Sequence, residues 1–448
     1  MASWREGVAP RGQGVRLSIR GRTLALRGLR RPRRGLFWLL AIVGPGLVAA
    51  NAGNDAGGIA TYAQVGAKYG YDLLWMLLLI TFSLAIVQEM AARLGVATGR
   101  GLLDLVRERF GIGWALFAVG VVLLANGGVT ISEFVGIAAA LELFGVSRFL
   151  SVPLAAVALW WLVVKGDYRR VEKVFLAMTL VFFAYPVAAV LARPDWAEVG
   201  RHTLIPTVRL DPDYLLLFVA TIGTTITPYM QLFQQSATVE RGVARRYYSD
   251  ERWDAYIGAV FGNVVAAFII IATAATLHVA GQTEITTAAE AAQALAPAAG
   301  PYAQVLCAVG LLGASLLAAG VLPLATAYSV SEAFGFRKGV NLDYRRAPIF
   351  IGLFTALLVL GAAVALLPGL PVFGLLVAIQ ALNGMLLPVI LIFMLRLIND
   401  RRLMGDLANG PLYNVLAWAT AVVLIVLVAL MLGNMALDAL GIDLFGAG

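Results

Sequence analysis

The chain has 448 residues, of which 60% are hydrophobic and 13% are charged, and its formal net charge is +8. Soluble domains carry roughly 25% charged residues and disordered chains are rich in polar residues, so this composition excludes both classes. The apolar runs are about 20 residues long rather than short and alternating, which excludes a β-barrel and predicts an all-α polytopic membrane protein.

Residues 1–34 precede the first apolar run, contain ten arginines and no lysine, and lack the apolar core of a signal peptide. We interpret them as a cytoplasmic tail that sets the topology or contacts anionic lipid, rather than one that binds nucleic acid. Eleven apolar runs that are long enough to span a bilayer follow. Their approximate bounds are 37–66, 72–97, 113–144, 150–166, 172–193, 213–240, 254–280, 302–334, 347–367, 371–396 and 412–436.

The basic residues predict the orientation of these spans. With the tail inside the cell, 29 of the 34 lysines and arginines fall in cytoplasmic segments. The other five are Lys68, Arg148, Arg193, Arg201 and Arg209. Because cytoplasmic loops carry an excess of Lys and Arg, we expect a plasma-membrane protein with its N-terminus in the cytoplasm and its C-terminus extracellular or periplasmic.

Cysteine and histidine are nearly absent from the chain. Cys307 is the single cysteine, and His202 and His278 are the two histidines. This excludes a disulfide framework and leaves no His/Cys cluster for zinc or a redox cofactor. We therefore expect no cofactor and no enzymatic activity.

Two of the predicted spans are interrupted. The first contains the glycine-rich stretch 51–58, and glycine weakens a helix interior by up to about 1 kcal/mol per residue. The sixth contains Pro228, which removes a hydrogen-bond donor and clashes with the preceding turn. Breaks at equivalent places in spans 1 and 6 are typical of transporters with two inverted five-helix repeats, in which the substrate lies between the breaks.

The inverted-repeat interpretation assigns residues 35–195 to the first repeat and 196–400 to the second repeat. Residues 401–448 are then the last span with the C-terminus. Asp55 lies in the first break, where a carboxylate is costly unless it has a cation or another partner. No Lys or Arg lies near it in the sequence, so a cationic substrate is the simplest partner. Ordinary glycine and proline kinks are the alternative interpretation of the two breaks.

At these residues the chain resembles the natural resistance-associated macrophage protein (NRAMP) family of divalent metal transporters, over roughly residues 40–405. Asp55-Ala56-Gly57-Gly58 stands where the family has Asp-Pro-Gly-Asn. The resemblance implies a LeuT-like fold of about eleven helices with broken helices 1 and 6. The other matching segments are Ala60-Thr61, Gly66-Ala67-Lys68-Tyr69-Gly70, Gln88, Ala91-Ala92-Arg93-Leu94-Gly95-Val96, Thr98-Gly99, Glu133, Gly136, Gln380 and Asp400-Arg401-Arg402-Leu403-Met404-Gly405.

The chain also departs from the family pattern. The Met-Pro-His motif of the sixth helix reads Thr227-Pro228-Tyr229, and Thr130 and Glu133 stand where the family has an acidic pair. Glu89 adds a carboxylate to the second span. This combination is similar to that of the prokaryotic NRAMP-related magnesium transporters (NRMT).

The donor set that remains suits hard cations. Thioether and imidazole suit transition metals, whereas carboxylate, carbonyl, hydroxyl and water suit Mg²⁺ and Mn²⁺. Mg²⁺ usually keeps several waters, and we expect Gly58 to leave room for them. The expected metal ligands are Asp55, the backbone carbonyls of Ala52 and Thr224, the Thr227 hydroxyl and Gln380, with Asn54, Asn383, Tyr229, Gly58, Glu89 and Glu133 as further site residues.

Four of these residues have an alternative interpretation. Asn54 and Asn383 each either hold the water shell or bond to a neighbouring helix. Glu89 is either a vestibule carboxylate or the partner of Arg93, which lies four residues later on the same helix face. Glu133 is a second acid near the metal, a proton site or an interhelical hydrogen bonder.

We therefore predict a monomeric transporter in the lipid bilayer that takes up Mg²⁺, and also Mn²⁺, as a partly hydrated substrate. The missing histidine and carboxylate favour uptake without proton coupling, driven by a membrane potential worth about 4.6 kcal/mol for two charges at 100 mV. A proton-coupled Mn²⁺/Fe²⁺ importer is the main alternative. An amino-acid transporter on the same fold and a gated channel are further alternatives.

Overall fold

The computed structural model describes residues 16–19, 22–25, 53–165, 184–338 and 344–439. Near the N-terminus, strand β1 (Arg16–Ile19) pairs with β2 (Arg22–Ala25) in an antiparallel hairpin with Ile19 opposite Arg22. The rest of the predicted tail lies outside the described residues. From residue 53 onward, the described residues form helices joined by turns and loops.

The described helices follow the predicted spans closely. In chain order they are α1 (Ala56–Tyr69), α2 (Leu74–Thr98), α3 (Leu102–Phe110), α4 (Ile112–Glu142), α5 (Arg148–Lys165), α6 (Ala184–Leu191), α7 (Trp196–Leu204), α8 (Pro212–Thr225), α9 (Pro228–Glu240), α10 (Tyr248–Thr273), α11 (Ala288–Gln293), α12 (Ala296–Ala299), α13 (Ala303–Phe334), α14 (Pro348–Ala365), α15 (Val372–Ile398), α16 (Arg401–Met404) and α17 (Pro411–Ala439). A π-helical turn, Ala274–His278, extends α10.

Eight membrane-spanning candidates lie within the described residues. They are Leu74–Thr98, Ile112–Glu142, Pro212–Val239, Arg245–His278, Gly300–Phe334, Pro348–Ala365, Val372–Ile398 and Pro411–Ala436. The fourth predicted span corresponds to the shorter apolar helix α5. The first and fifth predicted spans are described only in part, as α1 and α6. A polytopic, nearly all-helical membrane protein is therefore confirmed.

Burial distinguishes the central helices from those that face lipid. In the span formed by α8 and α9, 94% of an 18-residue apolar stretch is buried, against 22% in α17. Exposed apolar side chains such as Val415, Val422 and Leu430 cover α17, as a surface in contact with hydrocarbon requires. The second predicted break therefore lies at the centre of the helix bundle.

The second predicted helix break occurs at the predicted position, and at the first the described residues Gly53–Asp55 are non-helical. Helix α1 begins at Ala56, directly after Asp55, and α8 ends at Thr225. Ile226 and Thr227 leave the helical conformation, with φ/ψ of −119°/65° and −74°/146°, and Pro228 then starts α9. Proline fits the first turn of a helix because its missing N–H would have no partner there. Pro228 therefore ends one helix and starts the next.

Glycines bring α15 against the second break. A Cβ atom on Gly223 of α8 would lie 2.0 Å from the carbonyl oxygen of Gln380, and one on Gly384 of α15 would lie 2.4 Å from that of Val219. Only hydrogen fits at both positions. This close helix crossing, typical of small residues in membrane helices, places Gln380 beside the break.

We expect Gly384→Ala to destabilise the protein, because its methyl group would press against the Val219 carbonyl. Overpacking of this kind costs about 1–3 kcal/mol, so the thermal unfolding temperature of the detergent-solubilised protein should fall. Gly352→Ala on α14 is the matched control because a Cβ there meets nothing within 4 Å. Equal unfolding temperatures for the two variants would contradict the close crossing.

Candidate functional site

Asp55 caps the N-terminus of α1. Its backbone is extended (φ −72°, ψ −175°), and its Oδ1 accepts a hydrogen bond of 2.7 Å from the backbone N–H of Gly58. The side chain is completely buried, its Oδ2 receives no hydrogen bond from an N–H or hydroxyl group among the described residues, and the Glu133 carboxyl group lies against it. The helix N-terminus stabilises negative charge, but a buried carboxylate oxygen without such a hydrogen bond still favours binding of a cation.

Three oxygen atoms converge beside Gly58. The position that its Cβ would occupy lies 2.5 Å from the Gly53 carbonyl oxygen, 2.9 Å from Thr224 Oγ1 and 3.4 Å from Asp55 Oδ1. From the sequence we expected Gly58 to leave open room for water. The structure corrects this, because the Gly53 carbonyl and the Thr224 hydroxyl approach into that space. Glycine is needed here so that oxygen atoms from both broken helices can meet.

The converging oxygen atoms differ from two of the expected ligands. Ala52 lies outside the described residues, and the carbonyl that the structure places at the break is that of Gly53. Thr224 approaches through its hydroxyl, whereas its carbonyl was the expected ligand. The sequence signal for Gly53 was the glycine-rich stretch itself, in which several carbonyls lose their helical partners together.

Gln380 and Asn383 reach the site from α15. Gln380 Nε2 lies 3.4 Å from Asp55 Oδ1, and Asn383 Nδ2 donates to Gln380 Oε1 at 3.1 Å. A Cβ on Gly57 would lie only 1.9 Å from Gln380 Nε2, so this amide lies directly on α1. Asn383 Oδ1 has no partner among the described residues. The structure therefore brings Gln380 to Asp55 and places Asn383 behind it.

Glu133 lies beside Asp55. Its Oε2 is 3.4 Å from the backbone nitrogen of Ala56, and Ser132 Oγ donates to its Oε1 at 3.2 Å. One turn later on α4, a Cβ on Gly136 would lie 2.4 Å from the Cβ of Ala56. Helix α4 thus packs against the first turn of α1 and brings a second acid to Asp55, and the bond to Ala56 makes Glu133 an interhelical hydrogen bonder as well.

The second break contributes further oxygens. The hydroxyl groups of Thr227, Tyr229 and Thr224 are fully buried, with Thr227 beside Tyr229 and Thr224 beside Tyr62. Tyr229 stands where the family has histidine, and it lies within electrostatic range of Asp55 and Glu133. Tyr62 of α1, which sequence reasoning missed, meets Thr225 of α8 through a 2.9 Å hydroxyl contact.

Asn54 bonds to a neighbouring helix, which is one of the two roles expected for it. Its Nδ2 donates to the Gly262 carbonyl of α10 at 3.4 Å. This hydrogen bond fastens the non-helical segment before Asp55 to α10.

A family profile described as natural resistance-associated macrophage protein-like (Nramp) matches residues 46–434. A relative from Deinococcus radiodurans, named divalent metal cation transporter MntH, is 30% identical over 416 residues, which cover 90% of this chain and 91% of the relative. The chain belongs to the Nramp family. Its functional class is that of a transporter family rather than an enzyme family.

Solved structures confirm the expected fold class. The manganese transporter of Eremococcus coleocola, in complex with an aromatic bis-isothiourea compound, has a TM-score of 0.73 at 23% identity and covers 90% of this chain and 88% of its own. MhsT in complex with L-phenylalanine has a TM-score of 0.58 at 16% identity, with coverage of 87% and 98%. At these identities the likeness shows the fold alone, which is LeuT-like.

Glu89 of this Nramp chain lies in an ion-pair network. Arg93 donates to its Oε2 at 3.1 Å, and the hydroxyl of Tyr248 donates to its Oε1. The guanidinium of Arg93 also donates to Asn409 Oδ1 at 2.5 Å and to the Leu407 carbonyl at 3.1 Å. Both carboxylate oxygens of Glu89 are therefore engaged, and the geometry favours the Arg93 partnership over the vestibule role.

We expect Glu89→Gln to destabilise the protein by on the order of 3 kcal/mol, because it leaves the buried Arg93 guanidinium without its carboxylate. Thermal unfolding in detergent measures this loss. The double variant Glu89→Gln/Arg93→Met should recover much of the stability. A vestibule role would instead give slower metal uptake at unchanged stability, with no recovery in the double variant.

Proposed function

We propose that this chain carries divalent cations into the cell, with Mg²⁺ preferred and Mn²⁺ also accepted. The observation that carries the proposal is that the Oδ2 of Asp55 receives no N–H or hydroxyl hydrogen bond from the described residues, in a fully buried site to which Gly53 and Thr224 also contribute oxygen. The named activities of the Deinococcus and Eremococcus proteins, divalent metal and manganese transport, support the broader substrate class.

The donor set supports the preference for Mg²⁺. The side chains gathered at the breaks offer carboxylate, hydroxyl and amide oxygens, and these suit Mg²⁺ and Mn²⁺ better than softer metals. Among the described residues, no group of three or more His, Cys, Asp or Glu side chains is placed to hold a metal. A site with few charged ligands suits an ion that keeps part of its water shell.

In this proposal, Asp55 supplies the charge, and neutral oxygens complete the shell. The direct ligands would be Asp55, Thr224, Thr227, Gln380 and the carbonyls of Ala52 and Gly53. Gln380 now presents its amide nitrogen to Asp55, so it would turn its amide by about 180° to offer oxygen, a change open to any Gln side chain. Asn383, Tyr229 and Glu133 would bond the waters that remain on the cation.

Glu133 supports a second candidate, the proton-coupled Mn²⁺/Fe²⁺ importer. It is the acidic side chain that lies beside Asp55, and a titratable group next to the metal is what proton coupling requires. Thr130, by contrast, carries no acidic group, and its Oγ1 donates a hydrogen bond of 2.7 Å to the Asn126 carbonyl oxygen one turn earlier in the same helix. If protons move with the metal, Glu133 is therefore the residue to carry them.

We expect Asp55→Asn to abolish uptake of Mg²⁺ and Mn²⁺ into proteoliposomes, because it removes the charge that offsets dehydration of the cation. Uptake of Mg²⁺, Mn²⁺, Ca²⁺ and Cd²⁺ is measured under an inside-negative potential, with a pH dye inside the vesicles. Asp406→Asn is the control, since Asp406 is an exposed acid paired with Arg245. Uptake by Asp55→Asn at the wild-type rate would contradict the assigned site.

Glu133→Gln distinguishes the two candidates in the same vesicles. For uncoupled transport, the wild-type protein takes up Mg²⁺ without internal acidification, and the variant retains that uptake because the amide preserves the shape and hydrogen bonding of the side chain. For the proton-coupled candidate, the wild type acidifies the vesicles during Mn²⁺ or Cd²⁺ uptake. Loss of acidification in Glu133→Gln would then assign the proton to this residue.

A further inference from the structure

Helix α9 carries a buried polar face that begins at the second helix break. Thr227, Gln231, Gln234 and Thr238 fall within an arc of about 60° on a helix with 3.6 residues per turn. Each of these side chains is at most 1% exposed. A soluble helix would turn such a face to water, so its complete burial in the membrane core requires another explanation.

The two glutamines of this face lack hydrogen-bond partners. Neither Nε2 nor Oε1 of Gln231 has a partner among the described residues, and the same holds for Gln234. A buried amide left unpaired costs about 1–3 kcal/mol, and buried polar groups are generally satisfied by protein, ordered water or an ion. Four unpaired amide atoms in succession therefore point to a hydrated ligand beside α9.

Gln235 on the same helix pairs its Nε2, whereas its Oε1 has no partner among the described residues. It lies at the edge of the polar face, and its Nε2 donates to the Arg100 carbonyl at 2.9 Å. That bond ties α9 to the segment between α2 and α3. Gln231 and Gln234 make no such bond within the described residues. Their amide groups therefore do not connect α9 to another described helix.

Helix α2 lines the opposite side. A Cβ on Gly95 would lie 2.9 Å from the Gln235 carbonyl oxygen and 3.1 Å from the Cβ of Thr238, so α2 packs closely here. Gln88 lies seven residues earlier, on the same face of α2, and its Oε1 is buried without a partner among the described residues. The predicted span order makes α2 and α9 parallel, so counting back seven residues from the contact between Gly95 and Thr238 we infer that Gln88 is level with Gln231.

We propose that Thr227, Gln231, Gln234 and Gln88, the glutamine row, form a second binding site for a hydrated divalent cation. This inference rests on the proposed function. Thr227 joins the row to the Asp55 site, and the other end of α9 reaches Arg241, which the predicted topology places inside the cell. The row thus lies on the way from Asp55 to the cytoplasm.

The chemistry of the row suits passage rather than retention. Amide oxygens accept hydrogen bonds from the waters of a hydrated cation, and amide N–H groups bond to water oxygens. No carboxylate belongs to the row, so the cation is not held by a full charge. Conduction requires sites that bind an ion strongly enough for entry and weakly enough for departure. Neutral amides meet both conditions.

Cysteine accessibility tests whether the row is hydrated and meets the cation. Gln231→Cys and Gln234→Cys are made in a Cys307→Ser background, which removes the single native cysteine. A small cationic methanethiosulfonate reagent is then applied to membranes with the cytoplasmic face exposed. Leu232→Cys is the control because Leu232 is equally buried, at 1% exposure, but points away from the row.

We expect the two glutamine positions to react and Leu232→Cys to remain unmodified. Mg²⁺ at about ten times its dissociation constant should slow the reaction about tenfold by occupying the row. Modification without Mg²⁺ protection, or no modification at Gln231→Cys and Gln234→Cys, would overturn the inference. Uptake of Mg²⁺ and Mn²⁺ by the wild-type protein is measured separately. Absence of that uptake would contradict the proposed function, whereas uptake without Mg²⁺ protection of the cysteines would contradict the glutamine row alone.

Leucine substitutions supply a second readout that does not depend on thiol chemistry. Gln231→Leu and Gln234→Leu should lower the rate of Mg²⁺ uptake at least tenfold and leave Mn²⁺ binding by the detergent-solubilised protein at its wild-type affinity, because Asp55 remains. Equal losses of binding and uptake would mean that the substitutions damage the Asp55 site. Wild-type uptake by both variants would show that the row plays no part in passage.

Discussion

The arrangement of the central helices depends on the Asp55 carboxylate, which is buried away from water. Asp55 is fully buried, and its Oδ2 receives no hydrogen bond from an N–H or hydroxyl group among the described residues. Burying such a charge costs several kcal/mol, and the N-terminus of α1 with the Gly58 N–H offsets only part of that cost. In the proposed function, a cation would offset the rest. The first helix break is therefore a requirement of the site, because a continuous helix would place no N-terminus there.

Close approach between helices follows from the same requirement. Neutral oxygens must come from several helices to reach one carboxylate, and side chains would keep those helices apart. Gly58 admits the Gly53 carbonyl and the Thr224 hydroxyl, whereas Gly223 and Gly384 let α8 and α15 cross. These glycines weaken their helices by up to about 1 kcal/mol each, and the packing around them compensates.

The sequence predicted the breaks because each has a local cause. Pro228 cannot continue a helix, and glycines unwind the segment before Asp55. Contacts set by helix packing were harder to predict. Glu133 reaches Asp55 only because Gly136 lets α4 approach α1, and Asn54 meets Gly262 of α10, more than 200 residues away in the sequence. Pattern and composition carry no information about such long-range pairs.

The same limit explains the uneven prediction of the ligands. Asp55, Gln380 and Thr227 are unusual residues for apolar spans and were therefore proposed as ligands from the sequence, and the structure brings Gln380 to Asp55. Any carbonyl in the unwound stretch could face the site, so the choice between Ala52 and Gly53 depends on backbone geometry. For Glu89, spacing alone named the correct partner, because Arg93 lies one helical turn away and the pair does form.

Charge is distributed unevenly between the centre of the bundle and its ends. Ion pairs hold the helix ends, with Lys68 and Asp213 joined at 2.5 Å on one side and Arg241 and Glu251 at 2.5 Å on the other. The α9 face beyond Asp55 is neutral instead. An additional carboxylate there would bind a divalent cation more tightly. Every 1.4 kcal/mol of added binding free energy lowers the dissociation rate of the cation about tenfold when its association rate is unchanged. A transporter turns over only if the ion leaves, so in the proposed mechanism a charged site at Asp55 followed by neutral amides would capture the ion without trapping it.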